Sequence, residues 1–314
     1  MMIIPKYTPG ENIFSKIFDT INKIFGIIKK DKPKAKGRPR KYTDEQIVAC
    51  MIYQVKYSIF SLRELEWRIK QDATFKAIIG LKDVPDYTTL SIRINSIEKH
   101  IFYGIFNITA ALIDPSLRLC AIDSTALRSS NYDSEAQYGV GSRLGTYKGY
   151  KLHLAASADD IYIPIAFAVT TAEVYDNQVS DILYDIKTFN PFLILADAAY
   201  DDTEWFKKAK SLEINLLTDI NMRRANSIES FRDQERYKNA LFLESPIGQR
   251  LYRNRISIEQ LFSTLKGLYN LENPRLYGKQ RYIRHIQWVL FAYLLDEYTK
   301  KQEGIKSRKY PWNQ

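Results

Sequence analysis

Three carboxylates in this sequence are placed where they could hold a divalent cation. Asp123 follows the apolar stretch LCAI, Asp197 follows FLILA, and Glu259 lies in the stretch YRNRISIEQLFSTLK. An acidic residue at the carboxyl end of a strand points into the crevice where open α/β sheets hold ligands. If the two strands are neighbours, Asp123 and Asp197 can share a cation, and Glu259 would complete the cluster. Taken singly, Asp123 and Asp197 could instead be turn residues or helix N-caps.

The ligand types narrow the choice of metal. Carboxylates without histidine or cysteine suit a hard cation such as Mg²⁺ or Mn²⁺. Two such ions about 4 Å apart are the recurring device for in-line phosphoryl displacement. The only cysteines, Cys50 and Cys120, form no CxxC motif, and the three histidines are scattered. These features argue against a zinc site and favour a reducing compartment.

The stretch around Glu259 carries four polar residues at gaps of three, four and seven positions: Tyr252, Arg255, Glu259 and Lys266. If the stretch is one α-helix, the last three fall at roughly −60°, −20° and −40° from Tyr252. They then form one narrow stripe, and the apolar residues of the stretch occupy another face, which we expect to be buried. A solvated face with an Arg255–Glu259 pair at helical spacing is the simpler alternative.

The elements that must position these residues begin with an amphipathic helix over 11–28 and a basic arm. The helix could dock on the body of the protein, on a second subunit or on a membrane surface. The whole chain carries a net charge of +10, and residues 29–41 (KKDKPKAKGRPRK) contain eight Lys and Arg. Such a Pro-interrupted basic run is expected to be mobile and to bind a polyanion. GRPR resembles the core of a minor-groove AT-hook, which makes Arg38 and Arg40 candidate DNA contacts. A solubilising linker is the alternative.

A helical region is predicted over about 42–115. Thr43 and Gln46 have the spacing of a capping box at its first helix. Short helices that lead into a helix start rich in Thr, Ser and Arg resemble a helix-turn-helix DNA reader. Thr88, Thr89 and Arg93 would then face the groove or the phosphates, whereas an ordinary helical bundle would leave them without that role.

After Pro115 the pattern changes to strands and helices. Strands are predicted over 117–123, 147–157, 161–170 and 191–197 and in EINLLT, with helices between and after the later ones. This order predicts an α/β fold with a mixed sheet flanked by helices. The third strand is expected at the sheet edge, because Pro164 cannot donate a ladder hydrogen bond.

Bulk features place the protein away from membranes. No run of about 18 apolar residues indicates a membrane span. The N-terminus lacks the basic-then-apolar plan of a signal peptide. We therefore expect a cytoplasmic protein without a membrane partner.

With these motifs the sequence resembles a known family, the DDE transposases of prokaryotic insertion sequences. The order Asp, Asp, Glu is similar, and YRNRISIEQLFSTLK matches all four positions of the Tyr-(2)-Arg-(3)-Glu-(6)-Lys signature of one group. AIDSTAL and ADAAYDD are similar to the family segments around the two Asp residues. Many relatives have His-Asp where this chain has Tyr175-Asp176. The resemblance covers about 40–300.

The resemblance implies a fold, a metal and a division of the chain. The fold would be an RNase H-like catalytic domain at 116–301, preceded by an arm (1–41) and a helical, helix-turn-helix-like DNA-binding domain (42–115), with a tail at 302–314. Asp123, Asp197 and Glu259 would bind Mg²⁺, for which Mn²⁺ would substitute. Tyr252, Arg255 and Lys266 would hold DNA phosphates.

The segment between Asp197 and Glu259 looks too short and polar for the large β-insertion of some relatives. Arg223 and Arg224 in this segment are candidate phosphate contacts, with plain surface charge as the alternative.

The implied activity is that of a DNA transposase that binds the terminal inverted repeats of its element, cleaves at the ends and joins the 3′-OH to target DNA. Its partner would be double-stranded DNA at the element ends and the target, bound by a homodimer near the nucleoid. Two alternatives stay open: a catalytically silent DNA-binding protein derived from such an element, and an RNase H-like nuclease.

Overall fold

The computed structural model describes residues 12–29, 40–97, 99–141, 144–222, 227–272 and 274–305. These residues form two compact units. The first contains the described residues up to Ile113, with Leu268–Asn270 and the residues from His285 onward; the second contains Asp114–Gly267 and Leu271–Arg284. The predicted division into arm, DNA-binding domain, catalytic domain and tail stays a prediction.

The first unit is helical, as the sequence predicted for its N-terminal part. Its helices are α1 (Ile13–Lys29), α2 (Asp44–Lys56), α3 (Leu62–Gln71), α4 (Ala73–Ile78), α5 (Tyr87–Ser96) and α6 (Lys99–Ile113), joined by most of α12 (Lys279–Gln302). The predicted capping box is present: the Thr43 hydroxyl accepts from the Gln46 backbone, and the Gln46 side chain accepts from the Thr43 backbone. No helix in the described part of the chain is long and apolar enough to cross a membrane.

Helix α1 docks on the body of its own unit. Its apolar stripe is buried, and the helix packs against α2 and α6. The buried residues of the stripe are Phe14, Ile17, Ile21, Ile24 and Phe25. Burying one such side chain stabilises the fold by about 1.5–3 kcal/mol. Of the three predicted docking partners for this helix, the structure therefore uses the body of the protein, and these side chains are not available to a second subunit.

The second unit is built on a six-stranded mixed sheet. Its strands are β1 (Leu119–Arg128), β2 (Gln137–Gly141), β3 (Gly145–Ser157), β4 (Pro164–Thr171), β5 (Leu193–Ala196) and β6 (Asn215–Thr218). The order is β2-β3-β1-β5-β6, with β4 paired to β3. The pairs of β3 with β1, β2 and β4 are antiparallel, and β5 is parallel to both β1 and β6. The predicted mixed α/β sheet is thus confirmed.

Two details of the strand prediction need correction. The strand β2 was not predicted, because QYGVG is short and contains two glycines. Gly139 is required there, since a Cβ would lie 2.2 Å from the Ala172 carbonyl oxygen. The strand β4 begins at Pro164, three residues later than predicted, because proline cannot donate within a ladder. Among the described strands β4 pairs with β3 alone, so the predicted edge position holds.

The helices of the second unit are α7 (Ile182–Lys187), α8 (Thr203–Ser211), α9 (Gln234–Glu244), α10 (Pro246–Tyr252) and α11 (Ile256–Leu268). One face of the sheet packs against α7 and α8 through a core that includes Ile122, Ile194 and Trp205. The single helix predicted from Tyr252 to Lys266 is wrong in detail. Helix α10 ends at Tyr252, and a 3₁₀ turn over Arg253–Arg255 leads into α11. Asn254 donates to the Leu251 carbonyl at 3.0 Å and so competes with the regular helical bonds.

Candidate active site

The two aspartates lie side by side on neighbouring parallel strands. The β1–β5 ladder pairs Ala121 with Leu195, and the same offset places Asp123 level with Asp197. Asp197 directly follows the last residue of β5, as predicted. Asp123 does not end its strand, because β1 continues to Arg128 through pairing with β3. Because β5 is shorter, β1 has no strand partner on that side beyond Ala121.

Local backbone bonds orient both carboxylates. The Asp123 carboxylate accepts from the Ser124 amide at 2.7 Å, and the Asp197 carboxylate accepts from the Ala199 amide at 2.9 Å. Asp197 is also the residue that precedes a short 3₁₀ turn, which its side chain caps. The turn-residue role considered as an alternative for Asp197 is therefore present together with its position beside Asp123.

The carboxylates are held in a poorly hydrated, negatively charged place. Burial, followed by the charge of Asp197, raises the pKa of Asp123 to about 7. Burial also raises the pKa of Asp197, and the charge of Asp176 adds to this effect. Both shifts show that ionised carboxylates here are insufficiently compensated by the protein alone.

Arg255 provides the positive charge that the site does contain. Its Nη1 lies 3.4 Å from Asp123 Oδ2, and its Nη2 contacts Glu259 Oε1. The Arg255 and Asp123 side chains are 21% and 18% exposed, whereas Glu259 is 51% exposed. A guanidinium therefore stands between two of the three acids, where a bound cation would supply the same charge.

The donor set fits a hard cation, although the three acids do not close around one point. Among the described residues, no group of three His, Cys, Asp or Glu side chains is close enough to hold a metal ion. Asp123 and Asp197 lie level with each other just beyond the β1–β5 ladder, and the Arg255 guanidinium contacts both Asp123 and Glu259. A bound Mg²⁺ or Mn²⁺ would compensate the negative charge of these carboxylates, whose pKa values are raised.

The remaining signature residues differ in their surroundings. Tyr252, at the end of α10, is partly buried, and burial raises its pKa to about 12, so its hydroxyl stays a proton donor at neutral pH. Lys266 pairs with Glu272 at 3.5 Å, and its side chain is 16% exposed. Of the four predicted stripe residues, the structure thus brings Arg255 and Glu259 into contact and gives Lys266 another partner. Their predicted phosphate contacts stay predictions.

The other predicted DNA contacts are placed as follows. Arg40 is exposed and pairs with Asp44 at 3.2 Å. Arg93 is largely buried and donates to the Tyr42 carbonyl at 2.7 Å and to Asp44 at 2.5 Å, so its guanidinium holds the start of α2.

The two predicted threonine contacts serve a helix start. The hydroxyls of Thr88 and Thr89 donate to Asp86, which caps α5. Arg38, Arg223 and Arg224 lie outside the described residues.

The sequence indicated no role for one charged residue near the site. Asp176 raises the pKa values of Asp123 and Asp197, after burial as the largest cause. It accepts from Lys151 at 3.1 Å and lies 3.7 Å from His153. His153 is fully buried. In the sequence Asp176 was noted only in the pair Tyr175-Asp176, which stands where many relatives have His-Asp.

Fold and site together define the class of this protein. It is a mixed α/β protein with two carboxylates, Asp123 and Asp197, at the same level of adjacent strands, and with a helical N-terminal region. Residues 114–295 match the family model described as "Transposase DDE domain", and residues 4–95 match "Transposase domain (DUF772)". The chain belongs to the transposase DDE-domain family, which confirms the family resemblance seen in the sequence.

Individual relatives are distant. The chain is 25% identical to an uncharacterized protein of Aquifex aeolicus (strain VF5), over 91% of this chain and 89% of that one. It is also similar to the piggyBac transposase in a synaptic complex with hairpin DNA (8% identity, TM-score 0.45, 97% of this chain and 76% of that one). A pre-cleavage Mos1 transpososome matches at 11% identity and a TM-score of 0.23, over 97% and 100% of the two chains.

Proposed function

We propose that this chain is a DNA transposase that binds the terminal inverted repeats of its element, cleaves at the element ends and joins the 3′-OH to target DNA. The observation that carries the proposal is the placement of Asp123 and Asp197 at the same level of adjacent strands, with Arg255 in contact with Asp123 and Glu259. Membership of the transposase DDE-domain family supports the same activity.

The acidic residues would serve as metal ligands. Asp123, Asp197 and Glu259 would hold divalent cations, Mg²⁺ with Mn²⁺ as a substitute. When bound, such ions neutralise phosphate charge and activate water or a 3′-OH. The raised pKa values of the two aspartates support this assignment, because each carboxylate lacks part of the compensation that its ionised form requires.

The basic and hydroxyl side chains would hold DNA. The planar fork of Arg255 matches two oxygens of a phosphate, and its present carboxylate partners are groups of the same charge. Tyr252 would donate a hydrogen bond to a phosphate oxygen, since its raised pKa keeps the hydroxyl protonated. Lys266 would act as a point charge after exchanging Glu272 for a phosphate.

Recognition of double-stranded DNA would use the basic residues of 29–41 and the helical N-terminal region. Cleavage at two element ends and joining to one target suit a homodimer assembled on DNA. Because the apolar stripe of α1 is buried in its own unit, the dimer contact would have to use other surfaces. The protein would act where chromosomal DNA is found, in the cytoplasm of a prokaryotic cell.

A strand-resolved cleavage assay tests the proposal. The substrate is the DNA that flanks the gene, incubated with Mg²⁺ or Mn²⁺ and wild-type protein, Glu259→Gln or the control Glu204→Gln. Glu204 is a suitable control because its side chain is 73% exposed and pairs only locally, with Lys207, on α8. We expect metal-dependent nicks that leave 3′-OH at the repeat ends, unchanged in Glu204→Gln and absent in Glu259→Gln. DNA binding should survive in both variants, since it depends mainly on phosphate contacts.

The other outcomes of this assay decide against the proposal. Specific binding of the repeats without cleavage under any divalent metal would favour a catalytically silent DNA-binding descendant. Cleavage of RNA–DNA hybrids in preference to the repeat ends would favour an RNase H-like nuclease. Normal cutting by Glu259→Gln would remove Glu259 from the metal site.

A further inference from the structure

The position of Asp197 relative to Asp123 is not held by strand pairing. The β1–β5 ladder ends at the pair Ala121–Leu195, and β5 itself ends at Ala196. The two aspartates therefore lie two residues beyond the last paired position. The end of β5 is held by its pairing with β6 up to Ala196–Thr218, and side-chain contacts act on the turn that follows Asp197.

A buried polar cluster lies behind this point, on the opposite face of the sheet. In the β1–β3 ladder Asp123 pairs with Leu154, whereas the neighbouring pairs are Ser124 with His153 and Ala126 with Lys151. Successive side chains of a strand alternate between faces, and directly paired residues share one. His153 and Lys151 therefore occupy the face that packs against α7 and α8.

Asp176 fastens its own segment to this cluster. Its carboxylate accepts from Lys151 Nζ at 3.1 Å and lies 3.7 Å from His153 Nδ1. Lys151 Nζ also donates to the Val174 carbonyl at 2.8 Å, and His153 Nε2 bonds to Thr170 Oγ1 at 3.0 Å. The segment 174–176 is thereby tied to β3, the strand that pairs with β1 on both sides of Asp123.

The next residue connects the same segment to the turn that follows Asp197. Asn177 Nδ2 donates to Asp202 at 3.2 Å, and the Asn177 carbonyl accepts from the indole of the fully buried Trp205 at 2.8 Å. Trp205 also packs edge-on against the Tyr200 ring at 4.8 Å. Residues 176 and 177 thus join the β1–β3 pair to the region 200–205.

We propose that Asp176 is a positioning residue of the acidic site, which, together with Lys151 and Asn177, sets the separation between Asp123 and Asp197. The inference rests on the proposed function, because the separation matters for holding a divalent cation. Residues that orient metal ligands without touching the metal typically change metal affinity by about 10–100-fold when they are replaced.

The electrostatics of the region agree with this arrangement. The charge of Asp176 adds to the burial that raises the pKa of Asp197. The Tyr200 hydroxyl is fully buried and has no hydrogen-bond partner among the described residues. Its pKa is raised by burial and then by the charges of Asp176, Asp123 and Asp197.

Binding of Mn²⁺ to the full-length protein tests the inference without any DNA. The free Mn²⁺ signal in electron paramagnetic resonance gives the affinity for wild type and for each variant, and thermal unfolding in EDTA shows that each variant is folded. Asp176→Ala removes the carboxylate, and Asp176→Asn keeps an oxygen that can accept from Lys151. Asp181→Ala is the matched control, because its side chain is 88% exposed and pairs with Lys208.

We expect Asp176→Ala to bind Mn²⁺ about 10–100-fold more weakly than wild type. Asp176→Asn should recover a large part of the loss, and Asp181→Ala should stay close to wild type. Asn177→Ala changes no charge but removes the link to Asp202, so it should also weaken binding. If Asp176→Ala fails to fold, the Mn²⁺ affinity of Asn177→Ala tests the positioning role instead.

Three results would overturn parts of this account, and they can be told apart. If Asp123→Asn loses the metal but Asp176→Ala binds Mn²⁺ as tightly as Asp181→Ala, the positioning role is refuted and the metal site is not. Weaker binding in Asp176→Ala with unchanged binding in Asn177→Ala would show that charge, and not position, is the contribution of Asp176. Absence of Mn²⁺ binding by wild type, or unchanged binding in Asp123→Asn, would refute the metal site itself and the positioning role with it.

Discussion

Replacing Arg255 with glutamine tests whether the guanidinium substitutes for a metal ion between the acids. Arg255 contacts Asp123 at 3.4 Å and also Glu259. Glutamine has no charge, so in the metal-free variant the negative charges of Asp123 and Glu259 would lose the positive charge that now contacts them. We expect it to be less stable than wild type in EDTA and to gain more stability from Mn²⁺.

The magnitude follows from the exposure of each pair. A hydrogen bond to a charged group contributes about 1.5–3 kcal/mol, and the long Arg255–Asp123 contact belongs at the lower end of this range. The pair with Glu259, which is 51% exposed, adds only about 0.5 kcal/mol. The loss is then about 2 kcal/mol, or a fall in Tm of about 4–8 °C for a unit of this size.

Thermal unfolding with and without Mn²⁺ measures both effects, with Arg253→Gln as the control. Arg253 lies in the same 3₁₀ turn and is exposed, so its replacement makes the same change of charge away from the acids. In EDTA the Tm of Arg255→Gln should lie below that of Arg253→Gln, and saturating Mn²⁺ should narrow the gap. Equal Tm values in EDTA, or equal stabilisation of both variants by Mn²⁺, would refute the idea that Arg255 occupies the place of a cation.

Two further predictions concern the arm and the buried histidine. Deleting residues 1–41 would also remove α1, which belongs to the core of its unit, so the arm is better tested by the double variant Arg38→Gln with Arg40→Gln. The slope of log affinity for DNA against log salt concentration should fall by about 1.8 in this variant, as expected for two lost phosphate contacts. Replacing Lys187 and Lys207 with glutamine should leave the slope unchanged, and an equal slope in both double variants would exclude a DNA-binding arm. Burial lowers the pKa of His153 to about 4. Between pH 4 and 6.5 the unfolded chain therefore binds more protons at this residue than the folded chain does. The free energy of unfolding of wild type should decline by at most about 3 kcal/mol as the pH falls through this window. Urea unfolding of His153→Gln should lack this part of the decline, whereas parallel curves for the two proteins would contradict it.

Features that depend on neighbouring residues in the chain could be predicted from the sequence. The Thr43 capping box needs only two side chains three positions apart, and the structure contains both of its bonds. The apolar run before Asp197 likewise predicted a strand, and Pro164 predicted an edge position for the strand that contains it. Their physics is local, because it concerns burial of one face or the absence of one N–H donor.

Contacts between distant segments could not be predicted in the same way. Arg93 has the position expected of a groove contact, yet it binds Asp44, which lies 49 residues earlier in the chain. A charged side chain pairs with whichever opposite charge the fold brings near, and spacing along one helix does not report that choice.

The sequence by itself indicated the family, through the resemblance of its motifs, and the strand that ends before Asp197, through its apolar run. Both depend on residues close together in the chain, and these persist whatever the rest of the chain does. The tertiary structure decided that Asp123 lies within its strand, that Arg255 stands between two acids, and that Asp176 lies behind the site. The reason is that register and face are set by pairing between strands and by packing of segments far apart in the chain, where a shift of one residue would exchange the faces of a strand.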